Sequence, residues 1–157
     1  MAEILVLSDS HGATSRLMDI AQIWKEGRFS AMVHLGDVIG DAQRLEDFTG
    51  HAVLSVSGNC DYFSPTPREL TAKLFSVDFF LTHGDRYGVK SGLSRLSYRA
   101  EELGCKVALF GHTHRAFAGY VGRTLLVNPG ALKDGCYAKL TLQEDQILPR
   151  LLHIFQE

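Results

Sequence analysis

The sequence predicts an α/β fold in which two β-sheets pack face to face and helices cover their outer surfaces. Short, wholly apolar runs alternate with amphipathic stretches through the first part of the chain, and the second part is dominated by strand-like runs. Six of the apolar runs end in a turn bearing Asp, Asn or His, usually beside a glycine.

Residues 4–7, Ile-Leu-Val-Leu, are short and apolar on both faces, as expected of a buried strand. Over residues 13–25, Leu17, Ile20, Ala21 and Trp24 recur at helical spacing, and Gly27 closes the run. Residues 31–35 read as a second strand, 42–48 as a short helix and 53–56 as a third strand. Residues 73–77 and 78–82 form a hairpin pair. Leu93, Leu96, Ala100 and Leu103 share one face of a helix over 91–103 that stops at Gly104. Residues 106–110, 116–121, 123–127, 135–142 and 146–155 complete the chain as strands. Trp24 and Phe48 are expected in the core. Tyr62 and Phe63 are expected in a loop at the mouth of a pocket.

A chain of 157 residues can bury one continuous core, and no repeat, low-complexity stretch or linker divides it, so a single domain over 1–157 is expected. Its 45% hydrophobic and 22% charged content is that of a globular protein. No apolar run approaches the ~20 residues of a membrane-spanning helix. The opening Met1-Ala2-Glu3 lacks the basic region of a signal peptide, so the protein is expected in the cytoplasm, away from membranes. A net charge of −2 with scattered basic residues argues against a general nucleic-acid surface. A small phosphorylated substrate remains compatible with it, because bound dications would supply positive field locally; a homo-oligomer stays open. Cys60, Cys105 and Cys136 are odd in number and widely spaced, which is no disulfide framework. Cys105 and Cys136 read as small, half-buried apolar residues.

The chemistry lies where the strands end. Ser8-Asp9-Ser10-His11 follows the first strand, Gly36-Asp37 the second and Gly58-Asn59-Cys60-Asp61 the third. His83-Gly84-Asp85, Gly111-His112-Thr113-His114 and Asn128-Pro129-Gly130 follow later ones. Ligands of α/β sheets bind at the carboxyl ends of strands, so a polar cluster assembled from distant segments is expected there. Imidazole suits Zn, Mn, Fe and Ni, while carboxylate and amide oxygens suit harder ions. Four His, two Asp and one Asn are too many for one four-coordinate ion and suit two ions sharing a carboxylate, which could clamp a phosphoryl group.

Taken singly, Gly-Asp and Gly-Asn are ordinary turn dipeptides, and His83 alone could be a satisfied core histidine. His112 and His114 flank one residue, so on an extended segment they project to the same side. His34 reads as core or as support for Asp37. His51 and His153 lie far from the motifs, and Asp61 and Asp85 read either as turn caps or as groups orienting a neighbouring ligand.

The motifs Asp9-Ser10-His11-Gly12, Gly36-Asp37, Gly58-Asn59-Cys60-Asp61, His83-Gly84-Asp85, Gly111-His112-Thr113-His114 and Asn128-Pro129-Gly130 resemble, in order and over the whole chain, those of the calcineurin-like metallophosphoesterases, in particular the small YfcE type. The resemblance implies a four-layer αββα sandwich of two mixed sheets flanked by helices. It also implies two divalent ions, commonly Mn²⁺: one on Asp9, His11 and His114, the other on Asn59, His83 and His112, with Asp37 bridging. Asn59 is further expected to orient the substrate phosphate, with Cys60 contacting substrate. Many relatives carry His where this chain has Cys60, and that His is assigned to leaving-group protonation or phosphate contact. Cysteine there is usual in the YfcE-type subgroup, which is associated with phosphodiesters. After Gly130 the chain reads Ala131-Leu132-Lys133-Asp134, without the Pro-Arg loop of many relatives, and Lys133 reads as a solvated loop lysine. The expected activity is therefore hydrolysis of a small phosphodiester through a hydroxide held by the two metals. The alternatives are a phosphomonoesterase or nuclease of the same superfamily, or a metal-binding scaffold, since the resemblance extends to a retromer subunit that uses this fold as an interaction platform.

Overall fold

The central strands bury both faces, which is why their sequences run apolar without alternation. In the computed structural model, which describes residues 1–38, 40–62 and 64–154, strand β1 (Ala2–Leu7) turns Ile4 and Val6 towards one apolar cluster and Leu5 and Leu7 towards another. The first cluster also holds Val33, Phe79, Leu109 and Val127 and fills the space between two sheets. The second lies under helices α1 (Thr14–Glu26) and α2 (Gly40–Thr49), through Leu17, Ile20 and Leu45. A third, built on Phe80, Leu96, Ala100 and Phe110, packs helix α3 (Ser94–Glu102) against the other sheet. Three clusters separate four layers, which is the αββα sandwich expected from the sequence.

The first sheet has the order β10-β9-β1-β2-β3, with β2 Ala31–His34, β3 Leu54–Ser55, β9 Cys136–Gln143 and β10 Gln146–His153. The second has the order β4-β5-β6-β8-β7, with β4 Glu69–Leu74, β5 Val77–Thr82, β6 Val107–Leu109, β7 Phe117–Val121 and β8 Thr124–Asn128. Both sheets are mixed. Strands β1, β2 and β3 run parallel, as do β5, β6 and β8. All six chemical motifs follow one of these six strands.

The β4–β5 hairpin is displaced from its expected position. The strand read at 73–77 begins at Glu69, and the turn is Phe75-Ser76, closed by the Leu74↔Val77 pair. Both turn residues are left-handed, at φ 51 and 72, the geometry of a two-residue hairpin that Asn-Gly normally fills. With neither residue present, the sequence carried no turn signal there. Phe48 is also corrected: it is 37% exposed, at the solvent edge between α2 and α1 beside Met18 and Lys25, while Trp24 is half-buried. Tyr62 is exposed, Phe63 and the last residue expected in β10, Phe155, lie outside the described residues.

Because a Cβ at Ser76 is strained at its positive φ, Ser76→Gly is expected to stabilise the protein by ~0.5–1 kcal/mol and to raise Tm by about 2 °C in thermal unfolding. A lowered Tm would show that the turn is not strained.

Candidate metal centre

The two parallel strand triplets end at the same pole, where hydrogen bonds between side chains and backbone stitch one sheet to the other. The Leu35 carbonyl, just past β2, accepts a hydrogen bond from His83 Nδ1 at 2.8 Å. A carbonyl can only accept, so Nδ1 carries a proton, and Nε2 faces inward. Asp9 is held by its other oxygen: Oδ2 accepts from Ser8 Oγ at 2.6 Å and from the His112 backbone N–H at 3.0 Å. Among the described residues, Asp9 Oδ1 and His83 Nε2 are buried and lack any hydrogen-bond partner.

These two atoms point into the same space. Asp9 Oδ1 lies 3.2 Å from His114 Nε2, 3.7 Å from His83 Nε2 and 3.8 Å from His11 Nε2. Asp37 Oδ1 is occupied by the Cys60 N–H at 2.9 Å, while Oδ2 lies 3.3 Å from His83 Nε2 and 3.9 Å from His11 Nε2. His112 Nδ1 is 3.1 Å from Asn59 Oδ1. The rings pair as His11 with His114, centroids 5.4 Å apart, and His83 with His112, 5.1 Å apart. All seven candidates thus converge, with Asp9, Asp37 and His83 buried and His11, Asn59, His112 and His114 open to solvent in part or more.

The HxH segment is not extended. His112 and His114 take φ values of 70 and 62, so the chain turns and sends the two rings to different partners. Asp9, His11 and Asp37 are left-handed as well, at 53, 48 and 27. Such backbone costs ~1–3 kcal/mol per residue and clusters where function requires it. Glycines make the crowding feasible: a Cβ on Gly111 would overlap Ser8 Oγ and lie 2.7 Å from Asp9 Oδ2, and one on Gly58 would overlap Asp37 Oδ1.

Opposing effects act on the buried charges. Burial alone would raise the Asp37 carboxyl, but the adjoining His83 ring and the hydrogen bond from the Cys60 N–H hold it far below the usual carboxylate range. Burial alone would lower His83, yet the neighbouring carboxylates of Asp37 and Asp9 leave it raised. For His112, burial and the charges of His83 and Lys90 act together to lower it.

A buried network that sequence reasoning saw only in part holds the loops in place. Gly36 N–H donates to His34 Nδ1, so His34 Nε2 donates to Ser10 Oγ at 2.9 Å, and Ser10 donates onward to Asp41 Oδ2 at 2.6 Å. Gly12 N–H donates to the same Asp41 oxygen at 2.8 Å. The network ties the loop of Asp9 and His11 to that of Asp37 and to α2. Of the two readings of His34, core or support, the network gives it the second. Asp41 was missed because one Asp in the first turn of a helix looks like ordinary capping; burial of its carboxylate is the distinguishing fact. Asn128 shapes the other side, donating to the Gly111 carbonyl and Thr113 Oγ1 and accepting from Gly130 N–H. Asp61 caps its turn through Gly58 N–H, and Asp85 faces Arg68 at 3.6 Å while Nδ1 of His83 goes to the Leu35 carbonyl. His51 lies tilted against Trp24, His153 bonds the Asp134 carbonyl, and Lys133 is exposed; none of these three side chains enters the cluster.

A model of the calcineurin-like phosphoesterase superfamily domain matches residues 2–145. The chain belongs to that superfamily. The probable metallophosphoesterase YsnB of Bacillus subtilis is 37% identical to it over 152 residues, covering 90% of this chain and 85% of the relative. The phosphodiesterase YfcE of Escherichia coli is 26% identical over 174 residues, covering 94% and 90%. Among solved structures, a conserved uncharacterized protein of Streptococcus pneumoniae, described as a predicted phosphoesterase, superposes with a TM-score of 0.84 at 26% identity, over all of this chain and 93% of the other. Vps29 of Entamoeba histolytica, solved with zinc, shares the fold at a TM-score of 0.73 and 16% identity, covering 97% of this chain and 99% of its own.

The metal dependence of a metallophosphoesterase fits the residues present. Donor atoms of Asp9, His11 and His114 lie within 4.8 Å of one another, as do those of Asp9, Asp37 and His83. The partnerless Asp9 Oδ1 and His83 Nε2 fall inside these groups, where a cation would satisfy both. No helix among the described residues is long and apolar enough to cross a membrane.

Asp41→Asn replaces a carboxylate oxygen that accepts two hydrogen bonds and loosens the loop carrying Asp9 and His11. Its expected effect is a ~10-fold loss of Mn²⁺ affinity by calorimetric titration, with the far-UV circular dichroism unchanged. Affinity equal to wild type would show that the network does not position the ligands.

Proposed function

We propose that the protein hydrolyses a small phosphodiester at a centre of two divalent ions, with Mn²⁺ the favoured metal. The observation that carries this reading is the pair of buried, partnerless donor atoms within a cage of seven candidate ligands. Asp9, His11 and His114 would hold one ion and Asn59, His83 and His112 the other. The ring pairing supports this division, and the place of Asp37 Oδ2 between His83 and His11, one histidine from each set, supports Asp37 as the bridge. Bound there, the ions would supply Lewis-acid stabilisation of the phosphoryl oxygens and a water activated at neutral pH.

The chain's own groups supply the remainder. The left-handed turns and the Ser10–His34–Asp41 network hold the ligands before substrate arrives, so little reorganisation accompanies reaction. Exposure on the His11 and His114 side gives substrate a way in. Asn59 turns its oxygen to His112 and its amide nitrogen to the side of Cys60, where that nitrogen can donate to a phosphate oxygen. Cys60 is exposed beside it and contacts the bound substrate. The name phosphodiesterase borne by the Escherichia coli relative supports a diester over a monoester.

A panel of bis(p-nitrophenyl) phosphate, p-nitrophenyl phosphate and cyclic nucleotides, each with Mn²⁺, Ni²⁺, Fe²⁺ or Zn²⁺, is expected to give highest kcat/KM on the aryl diester. Asp37→Asn should lower that value by at least about 100-fold, because the bridge serves both ions, whereas His153→Ala should stay within a few-fold. Full activity in Asp37→Asn would refute the assigned centre.

Position 60 makes a separate prediction. Without an imidazole there, departure of the leaving group receives little proton assistance, which favours aryl oxyanions over alkoxides of higher pKa. Cys60→His supplies an acid whose ordinary pKa lies near neutrality, and general acid catalysis is typically worth ~10²–10⁴-fold. The gain is expected only on diesters with poor leaving groups, measured across a series of graded leaving-group pKa. An equal loss on every substrate would mean that residue 60 shapes the pocket and takes no part in proton delivery.

A further inference from the structure

Beside the centre, on the outer face of the second sheet, lies a cleft of about 560 Å³ that hydrolysis at the metals leaves without a role. Its apolar wall is Val89, Leu93, Phe110 and Phe117, and Lys90 and Arg115 also line it. Its volume is that of a site for a small organic molecule.

Two neighbours in the chain and one packing contact place it beside the metal centre. Thr113, which lines the cleft, stands between His112 and His114. Phe110 precedes His112 by two residues. Val89 packs against Gly84, the residue after His83, so closely that a Cβ on Gly84 would meet its two methyls at 3.1 and 3.2 Å. The cleft therefore adjoins the half of the centre built on His83 and His112. The influence of the Lys90 charge on His112 agrees with that nearness.

Its charge is unusual for this protein. The chain is net negative, yet both ionisable residues lining the cleft are cations and no carboxylate lines it. Among the described residues, neither Lys90 nor Arg115 forms an ion pair; the nearby Asp85 is engaged by Arg68. Apolar walls favour a flat hydrocarbon body and exclude a sugar-like one, whose hydroxyls would go unsatisfied against Phe110 and Leu93. Two unpaired cations call for an anion.

We propose that this cleft receives one ester group of the substrate, and that this group is an aromatic or similarly flat apolar body bearing a second anionic substituent, held by Lys90 and Arg115. The inference rests on the phosphodiesterase reading and narrows it from small diesters in general to those with an anionic, apolar arm. With the phosphorus at the metals, the arm reaches over Thr113 into the cleft. Arg115 can hold a phosphate, sulfonate or carboxylate through two parallel N–H donors, and Lys90 acts as a point charge.

Two measurements test it. In the first, 1,5-naphthalenedisulfonate, an aromatic dianion without phosphorus, is titrated calorimetrically into chelator-treated protein. Lys90→Gln and Arg115→Gln, both at exposed positions, are each expected to weaken its binding about fivefold, the change expected for loss of a partly exposed charge pair. In the second, the Mn²⁺-loaded protein is given carboxyphenyl phenyl phosphate and diphenyl phosphate, which lacks the carboxylate on its arm. The ratio of kcat/KM, carboxylated over plain, should exceed one in wild type and fall about fivefold with each cation removed. Equal disulfonate affinity in wild type and the double variant, or an unchanged ratio, would overturn the cleft assignment while leaving the phosphodiesterase reading intact. Failure of wild type to hydrolyse either diester with any divalent ion would overturn that reading instead, and the disulfonate titration would still decide whether the cleft takes aromatic anions.

Discussion

A carboxylate oxygen that is buried and unbonded governs the architecture of this pole. Asp9 commits Oδ2 to Ser8 and His112 and leaves Oδ1 facing three imidazole nitrogens. An unsatisfied buried polar atom costs ~1–3 kcal/mol, and more when it is charged. His83 Nε2 adds a second such atom, and five left-handed candidate ligands add backbone strain. Together these terms rival the ~5–15 kcal/mol net stability of an ordinary domain. A fold can carry them only if the rest of the molecule is well packed and a cation relieves the charge.

The packing supplies the first condition. Strands β1, β2, β5, β6 and β8 are apolar on both faces because two clusters bear on each, and their ends are thereby fixed in space. Loops leaving those ends need no length to reach one another. The Gly111 backbone, from the second sheet, lies against Ser8 of the first, and the Gly58 backbone lies against Asp37 at the end of the neighbouring strand, both at distances no side chain would allow, so backbone approach and ligand placement are one geometric fact.

Much of this was legible in the sequence because burial on both faces leaves a plain mark. Ile-Leu-Val-Leu reads as a buried strand, and the polar residues after it then lie at its end. Convergence of Asp9, Asp37, His83 and His114 followed from applying that rule to strand after strand. What escaped was information that no short window holds. The Phe75-Ser76 turn lacks Gly or Asn, so the hairpin was placed too late. Asp41 becomes significant only when the fold brings it to Ser10 and Gly12, 31 and 29 residues away. The spacing of His112 and His114 suggested an extended segment, whereas the loop coils and divides them, because the Asn128 side chain holds the Gly111 carbonyl and Thr113 in a turn.

The left-handed backbone at Asp9, His11, Asp37, His112 and His114 also limits the alphabet from which this centre can be spelled. Outside glycine, Asp, Asn and His are the residues enriched several-fold at positive φ. They are also hard-oxygen and imidazole donors. Glu and Cys bind divalent ions too, but they lack that conformational tolerance, and glycine has the tolerance without a donor. Conformation and coordination therefore select the same few side chains, so substitutions that look conservative to a chemist, such as Asp9→Glu, would be radical to the backbone.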